Sequence, residues 1–491
     1  MKYSSTRGGC SGQGFEDVLL TGLAPDGGLF VPDELPSFKA ADLAELKDLA
    51  YPELAFRIAA PFTGADFPAD ALRRIIADSY AGFSQPGVAP LTALGDNEYV
   101  LELFHGPTLA FKDFALQVLG RMLDHVLARG GARAHILGAT SGDTGSAALE
   151  GCRHSRRVDI CILHPHGKVS EVQRKQMTTV AGDNVLNLAV EGNFDDCQRL
   201  VKAAFADQSF LPAGRRLVAV NSINWARIVM QIVYYFHAAL RLGAPQRAVS
   251  FSVPTGNFGD IYAGYLARAM GLPVERLIVA TNENDILHRL ISGNEYSTAP
   301  LRHTLSPSMD ILVSSNFERY LFDLFDRDHD ALAAFMAAGA GGGASLSDEQ
   351  WRSMRGIFDS ASVDDAATRA TIAKVWRDHG VLLDPHTAVG VRAAREVRAG
   401  RESAGRSSRA NGRQTPMVCL ATAHPAKFAE AITAAGLPAP ALPARMRRQF
   451  ERPERFRVIN RDLDELKAFL RAIADQAHLA DKTPAAEQPR Q

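Results

Sequence analysis

Cysteine is scarce and scattered in this chain. Its five cysteines, Cys10, Cys152, Cys161, Cys197 and Cys419, are odd in number and contain no C-x-x-C pair. That argues against a disulfide framework and leads us to expect reduced thiols in a cytoplasmic protein. An excess of one charge is missing too: 54 Lys and Arg stand against 55 Asp and Glu, a net charge of −1. Nothing global therefore draws the chain to nucleic acid or to an anionic membrane. Long apolar runs are absent as well. The most apolar helical stretch, 228–242, is broken by Gln231, His237 and Arg241 and is too short to span a bilayer. The first residues, M-K-Y-S-S-T-R-G-G, lead into no apolar signal core. His164 and His166 lie close together, but no further ligand follows at zinc spacing, and no metal is expected.

What remains is an ordinary globular composition, 46% hydrophobic and 22% charged, over 491 residues. That length calls for two or three domains, or one large domain with additions. Apolar runs at 135–137, 158–163, 218–220, 249–253, 277–280 and 417–421 read as strands. Helical patterns at 144–150, 225–241 and 260–270 lie between them. Continuous rather than alternating apolar strands predict a parallel sheet covered on both faces, hence an α/β fold with ligands at the strands' carboxyl ends. The first ninety residues, crowded with turn signals such as A-P-D-G-G, predict a separate N-terminal domain. Residues 337–347, 398–415 and 482–491 carry too little apolar content for a core and read as loops or frayed ends. The basic stretch within 398–415 reads as a solvated insertion or a contact for an acidic partner.

Four segments carry chemistry. The first, F-H-G-P-T-L-A-F-K-D-F at 104–114, sets Lys112 where a loop enters a helix, between Phe111 and Phe114. Apolar neighbours disfavour the ammonium form, and a neutral lysine is a nucleophile or a base. A lysine whose stem packs on the rings while its amine reaches water has the same pattern. The second, G-A-T-S-G-D-T-G-S at 138–146, joins a strand to a helix. Small residues, hydroxyls and the helix N-terminus suit an anion, as they also suit a plain turn with Asp143 as its cap. The third, P-T-G-N-F-G-D at 254–260, is a glycine turn whose successive N–H groups suit a phosphate, with Asp260 placed to cap the helix; a turn without a ligand reads alike. In the fourth, 417–428, a buried strand ends on Thr422, His424 and Lys427, with His424 read as a structural histidine.

These segments, in this order, resemble threonine synthases of the bacterial and fungal type. K-Y-S-S-T-R-G at 2–8, D-G-G-L-F-V-P at 26–32, S-P-S-M-D-I at 306–311 and D-P-H-T-A at 384–388 extend the resemblance from the N-terminus to about Phe428. The resemblance implies a fold type II pyridoxal-phosphate enzyme of the tryptophan synthase β-subunit group. Parallel sheets flanked by helices would lie beyond an N-terminal domain at 1–90. The catalytic domain would occupy 91–440, as two subdomains with the cofactor in their cleft and insertions at 331–377 and 398–415. A C-terminal segment with a frayed tail would occupy 441–491.

By the same resemblance Lys112 holds pyridoxal 5′-phosphate as a Schiff base and is the catalytic residue. Gly256, Asn257, Phe258, Gly259 and Asp260 cradle its phosphate, and Thr422 faces its pyridine nitrogen. Thr140, Ser141, Asp143 and Thr144 meet the substrate. The implied reaction turns O-phospho-L-homoserine and water into L-threonine and phosphate, by γ-elimination and β-hydration. Ser and Arg residues at 314–319, and Lys168, are the candidates for the substrate phosphate. A phospholyase giving a 2-oxo acid, phosphate and ammonia is the alternative outcome, and a non-catalytic cofactor-binding protein the further one. A monomer or homodimer is expected.

Overall fold

A computed structural model describes residues 1–95, 97–140, 142–405, 409–410 and 413–482. Its strands, in chain order, are β1 (Tyr3–Ser5), β2 (Phe30–Pro32), β3 (Leu91–Ala93), β4 (Glu98–Glu102), β5 (Arg133–Ala139), β6 (Val158–Pro165), β7 (Val185–Val190), β8 (Arg215–Val218), β9 (Val249–Pro254), β10 (Val274–Thr281), β11 (Phe358–Ser362), β12 (Arg409–Ala410), β13 (Arg413–Gln414), β14 (Met417–Ala421) and β15 (Arg457–Ile459). The chain forms two compact units, one from Met1–Leu119 and Asn221–Ala444, the other from Gly120–Val220 and the described residues from Arg445 onward. These units cut across the segments 1–90, 91–440 and 441–491.

The first unit is built on a six-stranded sheet in the order β11-β10-β9-β14-β4-β3. Neighbours are parallel except β3, which runs antiparallel to β4. Every residue of β9 and β14 is buried; β14, M-V-C-L-A, is accordingly apolar without alternation, while β9 alternates apolar residues with Ser250 and Ser252. The helix Pro385–Ser403 packs on this sheet: Ser252 Oγ donates to Gly390 O at 2.6 Å. A Cβ at Gly390 would lie 3.2 Å from Pro254 Cγ, so a glycine lets helix and strand approach. The helix Trp225–Arg241 is buried from Trp225 to Leu240 and so carries almost no polar face. The second unit holds a wholly parallel sheet in the order β15-β7-β6-β5-β8. Leu466 and Leu470 of the helix Leu463–Lys482 fill its core with Leu163, Leu188 and Leu200.

Several segments differ from expectation. Residues 337–340 complete the helix His329–Ala340, because its alanines carry high helix propensity despite a loop-like composition. Residues 398–403 are the last turns of Pro385–Ser403, and 409–410 pair with 413–414. Within 331–377, β11 is the edge strand of the six-stranded sheet, its polar sequence F-D-S-A-S having hidden it. Strand β8 ends at Val218, short of the 218–220 expected. Of the 482–491 tail, Lys482 closes a helix and the rest lies outside the described residues.

Candidate active site

Chemistry collects at the carboxyl ends of three adjacent strands of the first unit. Strand β4 runs into the 104–114 segment, β14 into Thr422, and β9 into the glycine turn. The order β9-β14-β4, all parallel, carries the three ends to one edge of the sheet.

The lysine segment is sewn onto the end of β14. Phe111 N donates to Thr422 O at 2.9 Å and His424 N to Leu109 O at 3.0 Å, flanking a bridge between Ala110 and Ala423. Leu109 takes φ +60° to make the turn. Asp113, wholly buried, accepts from Thr108 N and Thr108 Oγ1, both at 2.8 Å. A Cβ at Gly106 would sit 2.4 Å from Asp113 Oδ2, so only glycine fits there. Buried Lys427 donates to Thr108 O at 2.9 Å. These bonds account for Gly106, Thr108 and Asp113 as scaffold around Lys112, which opens the helix Lys112–Arg129. Lys112 Nζ lies 5.3 Å from the centre of the Phe111 ring. Thr422 is buried, and its hydroxyl bonds to no group among the described residues. His424 stacks edge-on against Phe104, with ring centres 5.4 Å apart, and its Nδ1 accepts from Ala426 N. Burial pushes its pKa down to about 4, so it is a neutral turn-former.

In the glycine turn, Thr255 N donates to Ala280 O at 2.8 Å and ends the ladder. Phe258 then takes a left-handed φ of +64° and precedes the helix Gly259–Ala269. The backbone N–H groups of Gly256, Asn257 and Phe258 donate to no protein acceptor among the described residues. The turn's carbonyls, by contrast, are held. Gly256 O accepts from Ser314 Oγ at 2.5 Å, and Asn257 O accepts from Asn316 N and Nδ2 at 3.0 and 3.1 Å. Ser315 Oγ donates to Asn257 Oδ1 at 3.2 Å, leaving the amide's NH2 as its donor end. Clamped carbonyls and unspent N–H groups at a helix N-terminus are the donor set a phosphate monoester requires, so these residues fit pyridoxal phosphate.

Asp260 does not cap the helix. Its Oδ1 accepts from Tyr234 Oη at 2.6 Å and Tyr235 Oη at 3.0 Å, while the capping position belongs to Phe258. Burial pushes the Asp260 carboxyl up to about 7, against the two hydroxyls that favour its ionised form. Sequence reasoning passed over both tyrosines, and it marked Lys427 without showing that it braces the Thr108 carbonyl. The available signal was two adjacent tyrosines in an otherwise apolar helix, whose buried hydroxyls need partners.

The 314–319 cluster is spent on structure. Arg319, fully buried, donates from Nε to Phe30 O, from Nη1 to Asn316 Oδ1 and from Nη2 to Ile223 O. With Ser314 and Ser315 committed to the glycine turn, the expectation that this cluster meets the substrate phosphate is not upheld.

In the second unit, β5 ends in the 138–146 loop. Thr140 Oγ1 accepts from Gly142 N and Gly145 N, both at 3.0 Å, so Thr140 rather than Asp143 holds the helix start. Asp143 is the first residue of the helix Asp143–Cys152, and its Oδ1 accepts from Gln173 Nε2 at 3.3 Å. Thr144 is half-buried, Ser141 lies outside the described residues, and Lys168 is exposed. Among the described residues no cluster of three or more His, Cys, Asp or Glu could hold a metal ion. No described helix is long and apolar enough to cross a membrane.

Comparison with known proteins gives the family. Residues 2–80 match the family model "Threonine synthase N terminus", 87–408 "Pyridoxal-phosphate dependent enzyme" and 387–470 "Threonine synthase, C-terminal". The chain is 60% identical to threonine synthase of Pseudomonas aeruginosa, over 96% of this chain and 98% of that one. It superposes on the crystal structure of PLP-bound threonine synthase from Brucella melitensis with a TM-score of 0.91 and 49% identity, covering 96% and 99% of the two chains. For threonine synthase from yeast the TM-score is 0.88 at 37% identity, covering 98% and 99%. The chain belongs to the threonine synthase family, fold type II enzymes that depend on pyridoxal phosphate.

Proposed function

We propose that this chain converts O-phospho-L-homoserine and water into L-threonine and phosphate, with Lys112 as the catalytic residue. The observation that carries the reading is the hydrogen bond from the Phe111 backbone N–H, next to Lys112, to the Thr422 carbonyl, one strand away from the glycine turn. Bound pyridoxal phosphate supplies an electron sink for negative charge developing on the substrate carbons.

The chain's own groups do the rest. N–H groups of Gly256, Asn257, Phe258 and Gly259, with the Asn257 amide, bind the cofactor phosphate, and the helix N-terminus adds favourable potential. Asp260 supports this loop through Tyr234 and Tyr235. The buried Thr422 hydroxyl would serve as a neutral hydrogen-bonding partner for the cofactor's ring nitrogen. Lys112 holds the cofactor, then takes the proton from the substrate Cα and serves proton transfer at Cβ. Asp113 and Thr108 fix where its helix begins. Thr140, Ser141, Asp143 and Thr144 receive the substrate, Thr140 by shaping the loop's backbone. The substrate is a small molecule, and this reading places the enzyme in a reducing cytoplasm, in keeping with its five free cysteines.

The site assignment is tested by reducing the holoenzyme with borohydride and mapping the cofactor-bearing peptide. Label on Lys112 is expected. Label on another lysine would displace Lys112 from its role.

A further inference from the structure

Asp384 caps the helix Pro385–Ser403, its carboxylate accepting from His386 N and Thr387 N. It also accepts from Thr387 Oγ1 and, at 2.8 Å, from His386 Nδ1. The other ring nitrogen, His386 Nε2, lies 3.1 Å from Ser308 N. A backbone N–H can only donate, so Nε2 carries the lone pair and Nδ1 the proton. The imidazole is thus fixed in one neutral tautomer. It is 3% exposed and packs edge-on against Phe428, with ring centres 4.7 Å apart.

Ser308 is the middle residue of the short turn Pro307–Met309, and this turn lies directly behind the glycine loop. A Cβ on Gly256 would fall 2.9 Å from Ser308 O and 3.4 Å from Met309 Cα. Backbone therefore packs on backbone there, and a shift of the turn is a shift of Gly256. Asn282 steadies the turn's other side, donating to Ser306 Oγ at 3.1 Å and Asp310 Oδ1 at 2.8 Å. Neither the D-P-H-T-A nor the S-P-S-M-D-I segment has a part in the function proposed above, yet the two meet at this hydrogen bond.

We propose that His386 is a positioning residue for the cofactor phosphate: oriented by Asp384, it accepts the Ser308 N–H and so fixes the turn that sets Gly256 and the N–H donors beside it. This rests on reading 256–260 as the phosphate loop. Losing the acceptor removes this hydrogen bond from the half-buried turn and frees the turn to move.

The test compares full-length His386→Gln, His386→Phe, His386→Leu and Asn257→Ala with the wild type. Cofactor dissociation constants are measured by ultrafiltration, and the bound phosphate is observed by 31P NMR. Glutamine keeps an acceptor oxygen; phenylalanine and leucine keep bulk against Phe428 but accept nothing, and leucine serves if phenylalanine overfills the site. We expect the two apolar variants to bind pyridoxal phosphate about tenfold more weakly, with a displaced 31P resonance. Glutamine should restore both to within about threefold of wild type. Wild-type affinity and resonance in the apolar variants, with Asn257→Ala weakened, would overturn the role of His386. Equal losses in glutamine and apolar variants would overturn the acceptor role. Unchanged binding in Asn257→Ala would instead overturn the phosphate-loop reading, and the proposal with it.

Discussion

The backbone N–H of Phe111 donates to the carbonyl of Thr422 at 2.9 Å, across more than three hundred residues of chain. Through it the segment bearing Lys112 is continuous with the end of β14, and the position of the lysine is set by sheet geometry rather than by a loose loop. The scaffold bonds around Lys112 join other residues: Asp113 to Thr108, and Lys427 to the Thr108 carbonyl. Lys112→Ala should therefore lower turnover by at least about a thousandfold while leaving the melting temperature within a few degrees of wild type. Steady-state kinetics and thermal melting of the same preparation check both halves.

Gly256→Ala tests the backbone contact behind the phosphate loop. Its Cβ would meet Ser308 O at 2.9 Å, a backbone atom that cannot swing aside. Overpacking of this kind costs about 1–3 kcal/mol. Cofactor retention should fall about tenfold, since the displaced atoms carry the N–H donors. Dialysis followed by the visible cofactor spectrum gives the comparison.

Arg319→Lys separates structure from substrate binding. A lysine ammonium cannot serve the three acceptors now shared by the planar guanidinium. Stability should fall by about 2–3 kcal/mol in urea unfolding. The KM for substrate should stay within about twofold, because Arg319 is fully buried and all three of its nitrogens already bond protein oxygens. A KM raised manyfold with stability intact would return this arginine to the substrate.

Two kinds of buried group give stability opposite pH slopes. Burial pushes His237 and His135 down to about 4 from an ordinary 6.5, with Arg241 adding to the first and Arg215 and Arg133 to the second. The unfolded chain then binds more protons, and their contribution is complete above pH 6.5 and lost as pH falls toward 4. Asp260 works the other way. Held at about 7 against an ordinary 3.8, it keeps a proton the unfolded chain has released, so its contribution is present below 3.8 and lost as pH rises through 7. Melting temperatures of the cofactor-free protein from pH 4.5 to 8 should show Asp260→Asn gaining on wild type as pH rises. His237→Gln should flatten the acid side. Parallel curves for Asp260→Asn and wild type would mean that this carboxyl titrates normally.

Much of this was legible in the sequence, for reasons that can be named. Strands β5, β6, β9, β10 and β14 announced themselves because strands covered on both faces carry mostly apolar runs, which in β9 are broken only by two serines. The helix Trp225–Arg241 was readable because it is a long, mostly apolar run, and the structure adds Asn224 as its N-cap. Strand β11 was not, since edge position lets F-D-S-A-S be polar, and neither was the helical turn at 398–403, whose charged residues need no core. At the site, residue types indicated which segments matter but not how side chains are spent. Asp260 looked like a cap and serves two tyrosines, while Arg319 looked like an anion binder and serves carbonyls. The role of His386 was not legible, because Asp384 beside it reads only as a helix cap and Ser308 reaches it only through the fold.

The central claim is tested most directly by supplying the purified enzyme with O-phospho-L-homoserine and following phosphate, ammonia and amino acids together. Threonine and phosphate in equal amounts, without ammonia, is the predicted result. Phosphate with ammonia and a 2-oxo acid would keep the fold and cofactor but make the chain a phospholyase. No phosphate, from protein that visibly carries its cofactor, would contradict the substrate assignment itself.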